Sequence, residues 1–281
     1  LDSTYLNAYV KRGDLRVLDE KYDEAIQDYS AALRINPSFA KAYYHRAKLY
    51  ARFKDWRKAL ADLNQAVKSD RKNPTLLMDR GVAYREVKDY EHSLEDFNAA
   101  INLAPDSVRA FVGRGILQTY MKHYTDAIAD FNTAAQKAPK YAETYFGRAG
   151  LYYKLKNYDD AMADYNRAIR NKPNYAEAYF KRAILQVERQ NYSQAMADYN
   201  KVIQIDPQHA MAYNERGNLA RNRRNYSLAE QDYSTAITLS PNLPAPYFNR
   251  AFLYLLQKKY EDALSFARKS IELDPENSLY Y

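Results

Sequence analysis

Helical, amphipathic stretches come in pairs along this chain, and the pairs recur every 34 residues. Rows of that length, started at Leu6, fill the sequence eight times without insertion or deletion: 6–39, 40–73, 74–107, 108–141, 142–175, 176–209, 210–243 and 244–277. In the fifth row the two stretches are Glu143–Lys156 and Tyr158–Asn171. One hairpin cannot bury its apolar face alone, so stacked rows must share a continuous core.

Positions within a row act as columns. Column 8 is small throughout: Gly13, Ala47, Gly81, Gly115, Ala149, Ala183, Gly217, Ala251. Column 20 is Ala25, Ala59, Ser93, Ala127, Ala161, Ala195, Ala229, Ala263, and column 27 is small in all rows but the sixth, which has Val202. Small residues let two helices approach closely. Column 32 is proline in every row but the second, where Arg71 stands and Pro74 follows. Proline cannot continue a helix, so it separates one row's second helix from the next row's first.

This ungapped pattern of small residues, aromatics and prolines resembles the tetratricopeptide repeat family over nearly the whole chain. The resemblance implies an all-α fold, a right-handed superhelical solenoid of eight antiparallel helix-hairpin repeats. It implies one array over 1–281, first helices lining a concave groove and second helices outside. Residues 1–5 and 278–281 would belong to partial flanking repeats. Leu1-Asp2 matches Leu273-Asp274, and Tyr281 lands on aromatic column 4, so the chain reads as a piece of a longer array.

Tyrosine is abundant, at 29 residues. Most of it recurs in column: Tyr22, Tyr90, Tyr124, Tyr158, Tyr192, Tyr226 and Tyr260 share column 17, with Trp56 in the remaining row. Recurrence at the packing phase marks core and wedge rather than a stacking platform for bases. Tyr44, Tyr120 and Tyr153 are off phase.

Composition narrows the chemistry. There is no cysteine, which excludes disulfides and thiolate metal sites. It fits cytoplasm or a bacterial periplasm equally, so localisation stays open. The net charge is +7, but 42 basic residues are interleaved with 35 acidic ones. The dense basic spot, Arg221, Arg223 and Arg224, reads as a solvated helix end. The four histidines, His45, His92, His123 and His209, show no metal-ligand spacing, and phosphate-loop, dinucleotide and nucleophile-elbow motifs are absent. The expectation is no catalysis, no cofactor and no metal. No run of apolar residues is long enough to span a membrane.

Column 7 is arginine in every row, and column 23 is aspartate in all but the last, which has Phe266. Opposite charges recurring in two columns point to a structural ladder rather than a polyanion track. Its members are Arg46, Asp28, Arg80, Asp62, Arg114, Asp96, Arg148, Asp130, Arg182, Asp164, Arg216, Asp198, Arg250 and Asp232. The missing aspartate at the end suggests pairing of each Asp with the arginine of the following row, as Asp232 with Arg250.

The family resemblance also implies that columns 2, 5, 6, 9, 12 and 13 face the groove. There they hold Val112, Ile116, Tyr120, Phe146, Tyr153, Phe180, Ile184 and Val187, followed by Asn214, Asn218 and Arg221. Aromatic and aliphatic anchors in a concave surface are typical hot spots. The expected occupant is a protein segment, extended or helical, its apolar side on Phe146, Tyr153, Phe180 and Ile184 and its backbone near Asn214 and Asn218. For Phe248, Phe252, Leu255 and Leu256, cover by adjoining structure is the preferred explanation. A scaffold or adaptor is the leading reading. A recognition array of a larger enzyme and an RNA-binding array are the alternatives.

Overall fold

The protein is described by a computed structural model covering residues 3–277, with side chains from Tyr5 onward. Its described residues form sixteen α-helices and no strand. Contacts group the chain into two compact units, Leu1–Leu151 and Tyr152–Tyr281. The first contains α1 (Ser3–Leu18), α2 (Tyr22–Ile35), α3 (Ala40–Arg52), α4 (Trp56–Ser69), α5 (Pro74–Glu86), α6 (Tyr90–Leu103), α7 (Val108–Tyr120), α8 (Tyr124–Lys137) and most of α9 (Ala142–Lys154). The second contains α10 (Tyr158–Asn171), α11 (Ala176–Glu188), α12 (Tyr192–Ile205), α13 (Ala210–Asn222), α14 (Tyr226–Leu239), α15 (Pro244–Leu256) and α16 (Tyr260–Leu273). Ser3–Tyr5 lie in the first turn of α1. Residues 1, 2 and 278–281, assigned from sequence to flanking repeats, lie outside the described residues.

Within each unit, row partners such as α5 and α6 or α13 and α14 pack together, and second helices pack on the first helix of the next row, as α4 on α5 and α12 on α13. The small columns make this possible. Ala25, Ala59, Ala127, Ala161, Ala195 and Ala229 are fully buried, as are Ala32, Ala66, Ala100, Ala134, Ala168 and Ala236. The column-24 aromatic is the plug between rows. A Cβ at Gly81 would meet Phe97 at 3.2 Å, and one at Gly113, in the next row, would meet it at 2.4 Å. The ring is therefore held between a small residue of its own row and glycine of the next.

The hairpin turns share one backbone motif. Residues 20, 54, 88, 122, 156, 190, 224 and 258, all at column 15, have φ between 59° and 67°, and none is glycine. In row two, the Lys54 N–H donates to Ala51 O (3.0 Å) and the Asp55 N–H to Tyr50 O (2.9 Å). These two bonds close the first helix and require a left-handed residue between them. Side chains of Asp55, Asn73, Asp89, Ser107 and Asn225 cap helix N-termini.

The arginine and aspartate columns meet, but the pairing runs within rows. Asp232 binds Arg216, with Nε 2.9 Å and Nη2 2.6 Å from its two oxygens, and not Arg250. The same two-bond fork joins Arg12 to Asp28, Arg46 to Asp62, Arg80 to Asp96, Arg114 to Asp130 and Arg182 to Asp198. Columns 7 and 23 face one another across the antiparallel hairpin, which explains the register. The third arm reaches back to column 25 of the preceding row. Nη1 donates to Ser30 from Arg46, to Asn64 from Arg80, to Asn98 from Arg114, to Asn132 from Arg148, to Asn166 from Arg182 and to Asn200 from Arg216. The Arg12 side chain is 56% exposed against 21% for Arg80. In row eight, Arg250 instead stacks on Phe266 (4.4 Å to the ring centroid) and bonds the Tyr254 hydroxyl. Arg250 also meets Glu230 of the preceding row (3.4 Å), so an aromatic face and a different carboxylate stand in for the missing aspartate.

Candidate binding face of the first helices

First helices of adjacent rows touch in both units, α1 with α3, α5 with α7 and α13 with α15. Column 5 carries much of that packing. Val112, Phe180 and Asn214 are buried, so they offer no surface to a partner. Phe180 is enclosed by Tyr199 (5.8 Å between centroids) and His209 (4.7 Å). The Asn214 amide is fully engaged: Nδ2 donates to Glu215 Oε1 (2.9 Å) and Oδ1 accepts from Asn249 (2.9 Å). Asn218 donates to Glu215 (3.2 Å) and accepts the Tyr233 hydroxyl (2.8 Å). The Asn214–Asn249 bond joins rows seven and eight, and the other three lie within row seven.

Ile116, Phe146, Tyr153, Ile184, Val187, Asn218 and Arg221 are half-buried, and Tyr120 is exposed. Arg85 lies 5.8 Å from the Tyr120 ring. In the second unit, the Arg221 guanidinium sits 4.8 Å from the centroid of Phe252. Its Nε is buried without a hydrogen-bond partner. Phe252, Leu255 and Leu256 are exposed. At the other end of this face, the His209 imidazole, its Nε2 3.7 Å from Glu177 Oε2, helped by Lys181, holds the Glu177 carboxyl below its ordinary range against the opposing effect of burial.

The first unit carries a polar cluster that the sequence reading missed. Asp14 Oδ1 accepts from the Tyr29 hydroxyl (2.8 Å) and lies 2.6 Å from His45 Nδ1. With Val17, Lys48, Leu49 and Arg52 they line a cleft of about 430 Å³. Tyr44 donates to Asp79 (3.0 Å), which also pairs with Arg109. Burial first and Asp79 next push the Tyr44 phenol up to about 12. The signal was present in columns 6 and 9, which are charged at Asp14, His45, Lys48 and Asp79 but apolar or glycine in row four.

Among the described residues no group of three His, Asp or Glu side chains is placed to hold a metal ion. No described helix is long and apolar enough to cross a membrane.

Family models match almost end to end. "TPR repeat" covers residues 7–52 and 185–220. Three models described as "Tetratricopeptide repeat" cover 47–108 and 112–176, 244–277, and 210–243. A search of curated proteins finds no match. Solved structures share the fold. The Cut9–Hcn1 hetero-tetramer of the APC/C superposes with a TM-score of 0.70 at 15% identity, over 97% of this chain and 54% of that one, so this chain spans about half its length. A tetratricopeptide repeat protein from Parabacteroides merdae gives 0.64 at 22% identity over 92% and 98%. PilF of Pseudomonas aeruginosa gives 0.66 at 16% over 75% and 96%. Repeat period, hairpin stacking and family models agree, and the chain belongs to the tetratricopeptide repeat family.

Proposed function

We propose that the chain is a protein-interaction scaffold whose second unit takes a peptide segment of a partner on the face formed by α11, α13 and α15. Tetratricopeptide repeat proteins are generally scaffolds of this kind, and their fold is typically non-catalytic. The observation that carries the reading is Arg221: a buried, unpartnered Nε beside an exposed aromatic ring. A peptide carbonyl can accept from that N–H, and an apolar side chain of the peptide can cover Phe252, Leu255 and Leu256. Ile184, Val187 and Asn218 extend the face along the stack. Phe180 and Asn214 support it from beneath.

The test is selection of binding peptides on the intact chain, followed by the variants Arg221→Met and Phe252→Ser. Each removes one anchor, and hot-spot losses are on the order of 2 kcal/mol, about thirtyfold in affinity. Lys201→Ala on α12 is the control. Unchanged capture by both variants, with helical spectra intact, rejects this face as the site.

A further inference from the structure

Column 11 holds Arg16, Tyr50, Tyr84, Gln118, Tyr152, Gln186, Ala220 and Tyr254. Tyr84 shows what a ring does there. The Arg80 guanidinium lies 5.6 Å from its centroid, its hydroxyl donates to Asn64 Oδ1 (3.3 Å), and it stacks on His92 at 5.2 Å. Tyr50 occupies the same place in row two, with Arg46 at 5.9 Å and Lys58 at 5.5 Å.

Row six has these walls without the ring. Asn166, Arg182 and Gln194 stand where Asn64, Arg80 and His92 stand in row three, and with Met162, Arg189, Asn191 and Asp198 they surround a cleft of about 580 Å³. Gln186 reaches into it. That side chain is only 8% exposed, and its Oε1 has no hydrogen-bond partner. Arg182 gives three of its five N–H groups, one from each nitrogen, to Asp198 and Asn166. What it offers beyond them is chiefly the face of the guanidinium. Arg46 has two rings within reach, Tyr43 at 5.8 Å and Tyr50 at 5.9 Å, whereas Arg182 has Tyr179 at 5.3 Å and the cleft.

We propose that the row-six cleft is a subsite for a tyrosine side chain presented by a partner protein. The ring lies against Arg182, as Tyr84 lies against Arg80, and the phenol O–H donates to Gln186 Oε1. A guanidinium with its hydrogen bonds satisfied recognises a π-face. An orphaned acceptor requires a donor, which a phosphorylated tyrosine lacks. The cleft lies among α10, α11 and α12 and shares no residue with the first-helix face, so either proposal can fail alone.

The experiment titrates the isotopically labelled intact chain with N-acetyl-tyrosine amide, N-acetyl-phenylalanine amide and N-acetyl-phosphotyrosine amide. The side-chain resonances of Gln186 and Arg182 are followed. Tyrosine amide is expected to shift them saturably, about fivefold more tightly than phenylalanine amide, the value of one hydrogen bond. The variant Gln186→Tyr supplies the ring from within. It is expected to raise the thermal midpoint and abolish the response. The proposal is overturned if tyrosine amide gives no saturable shift, if phenylalanine or phosphotyrosine amide binds as well, or if Gln186→Tyr lowers the midpoint.

Discussion

Removing Arg80 should cost more than removing its partner, and removing both should cost least. Asp96 is 4% exposed and takes two N–H bonds of 2.7 Å from Arg80. Arg80→Met leaves that carboxylate buried with no counter-charge. Stranding one member of a fully buried pair costs about 3–5 kcal/mol, and an exposed pair is worth about 0–1. The Arg80 side chain is 21% exposed, so water relieves part of the penalty, and about 2–4 kcal/mol is expected. Asp96→Leu leaves a guanidinium that still has Asn64 and the Tyr84 ring, at about 1–2 kcal/mol. The double variant strands no charge and should lie within about 1 kcal/mol of the parent. Repeat arrays depart from two-state unfolding, so hydrogen exchange of the α5 and α6 amides is the suitable assay, with urea unfolding beside it. A cost below about 1 kcal/mol for Arg80→Met, or a double variant equal to the sum of the singles, would refute the reasoning.

Three further outcomes are expected. Gly113→Ala should destabilise by about 1–2 kcal/mol, because its Cβ would sit 2.4 Å from Phe97, whereas Gly150→Ala, with nothing within 4 Å, should stabilise by up to about 1 kcal/mol; equal effects in thermal melts would contradict the plug role of Phe97. Lys88→Gly should stabilise by about 0.5–1 kcal/mol, since φ is 67° there and the relief of left-handed strain exceeds glycine's entropy cost; a lower melting point would count against it. The His92 imidazole is held above its usual range by its hydrogen bond to Asp89. Its stabilising contribution is therefore complete below about pH 6.5 and is lost as pH rises through the raised value; a proton NMR titration should show the midpoint fall in Asp89→Asn, and no change would dismiss the pairing.

Period, helix pairs and small columns were legible because each is written eight times. Pro37, Pro105 and their equivalents mark breaks by local sterics alone. The ladder's chemistry was legible too, but not its register. Arg250 with Phe266 was read as an absence, and only coordinates show a stacked cation there. Column 5 misled for a different reason. Val10, Met78, Val112 and Phe180 form an apolar column, and by the logic applied to the tyrosines it is core. A family's groove positions do not by themselves say which rows cover them. Gln186 was invisible as a candidate, since an unsatisfied acceptor is a property of its surroundings.

The register of the ladder bears on how such an array can change its length. Arg80 finds its carboxylate 16 residues ahead and its third acceptor 16 residues behind, and Arg46, Arg114, Arg182 and Arg216 do the same. Loss of residues 108–141 by unequal recombination would remove Arg114 together with Asp130 and bring Arg148 opposite Asn98 in place of Asn132. Within the ladder no charge is stranded and one asparagine replaces another, although Asp79 and Asp106 would lose Arg109 and Lys137. Had the pairs bridged successive rows, every recombination joint would have depended on matching two partners of different ancestry. Because each arginine–aspartate fork lies within one repeat and the ladder offers the neighbouring repeat only a neutral amide or hydroxyl, whole repeats can be gained or lost without unpairing the ladder.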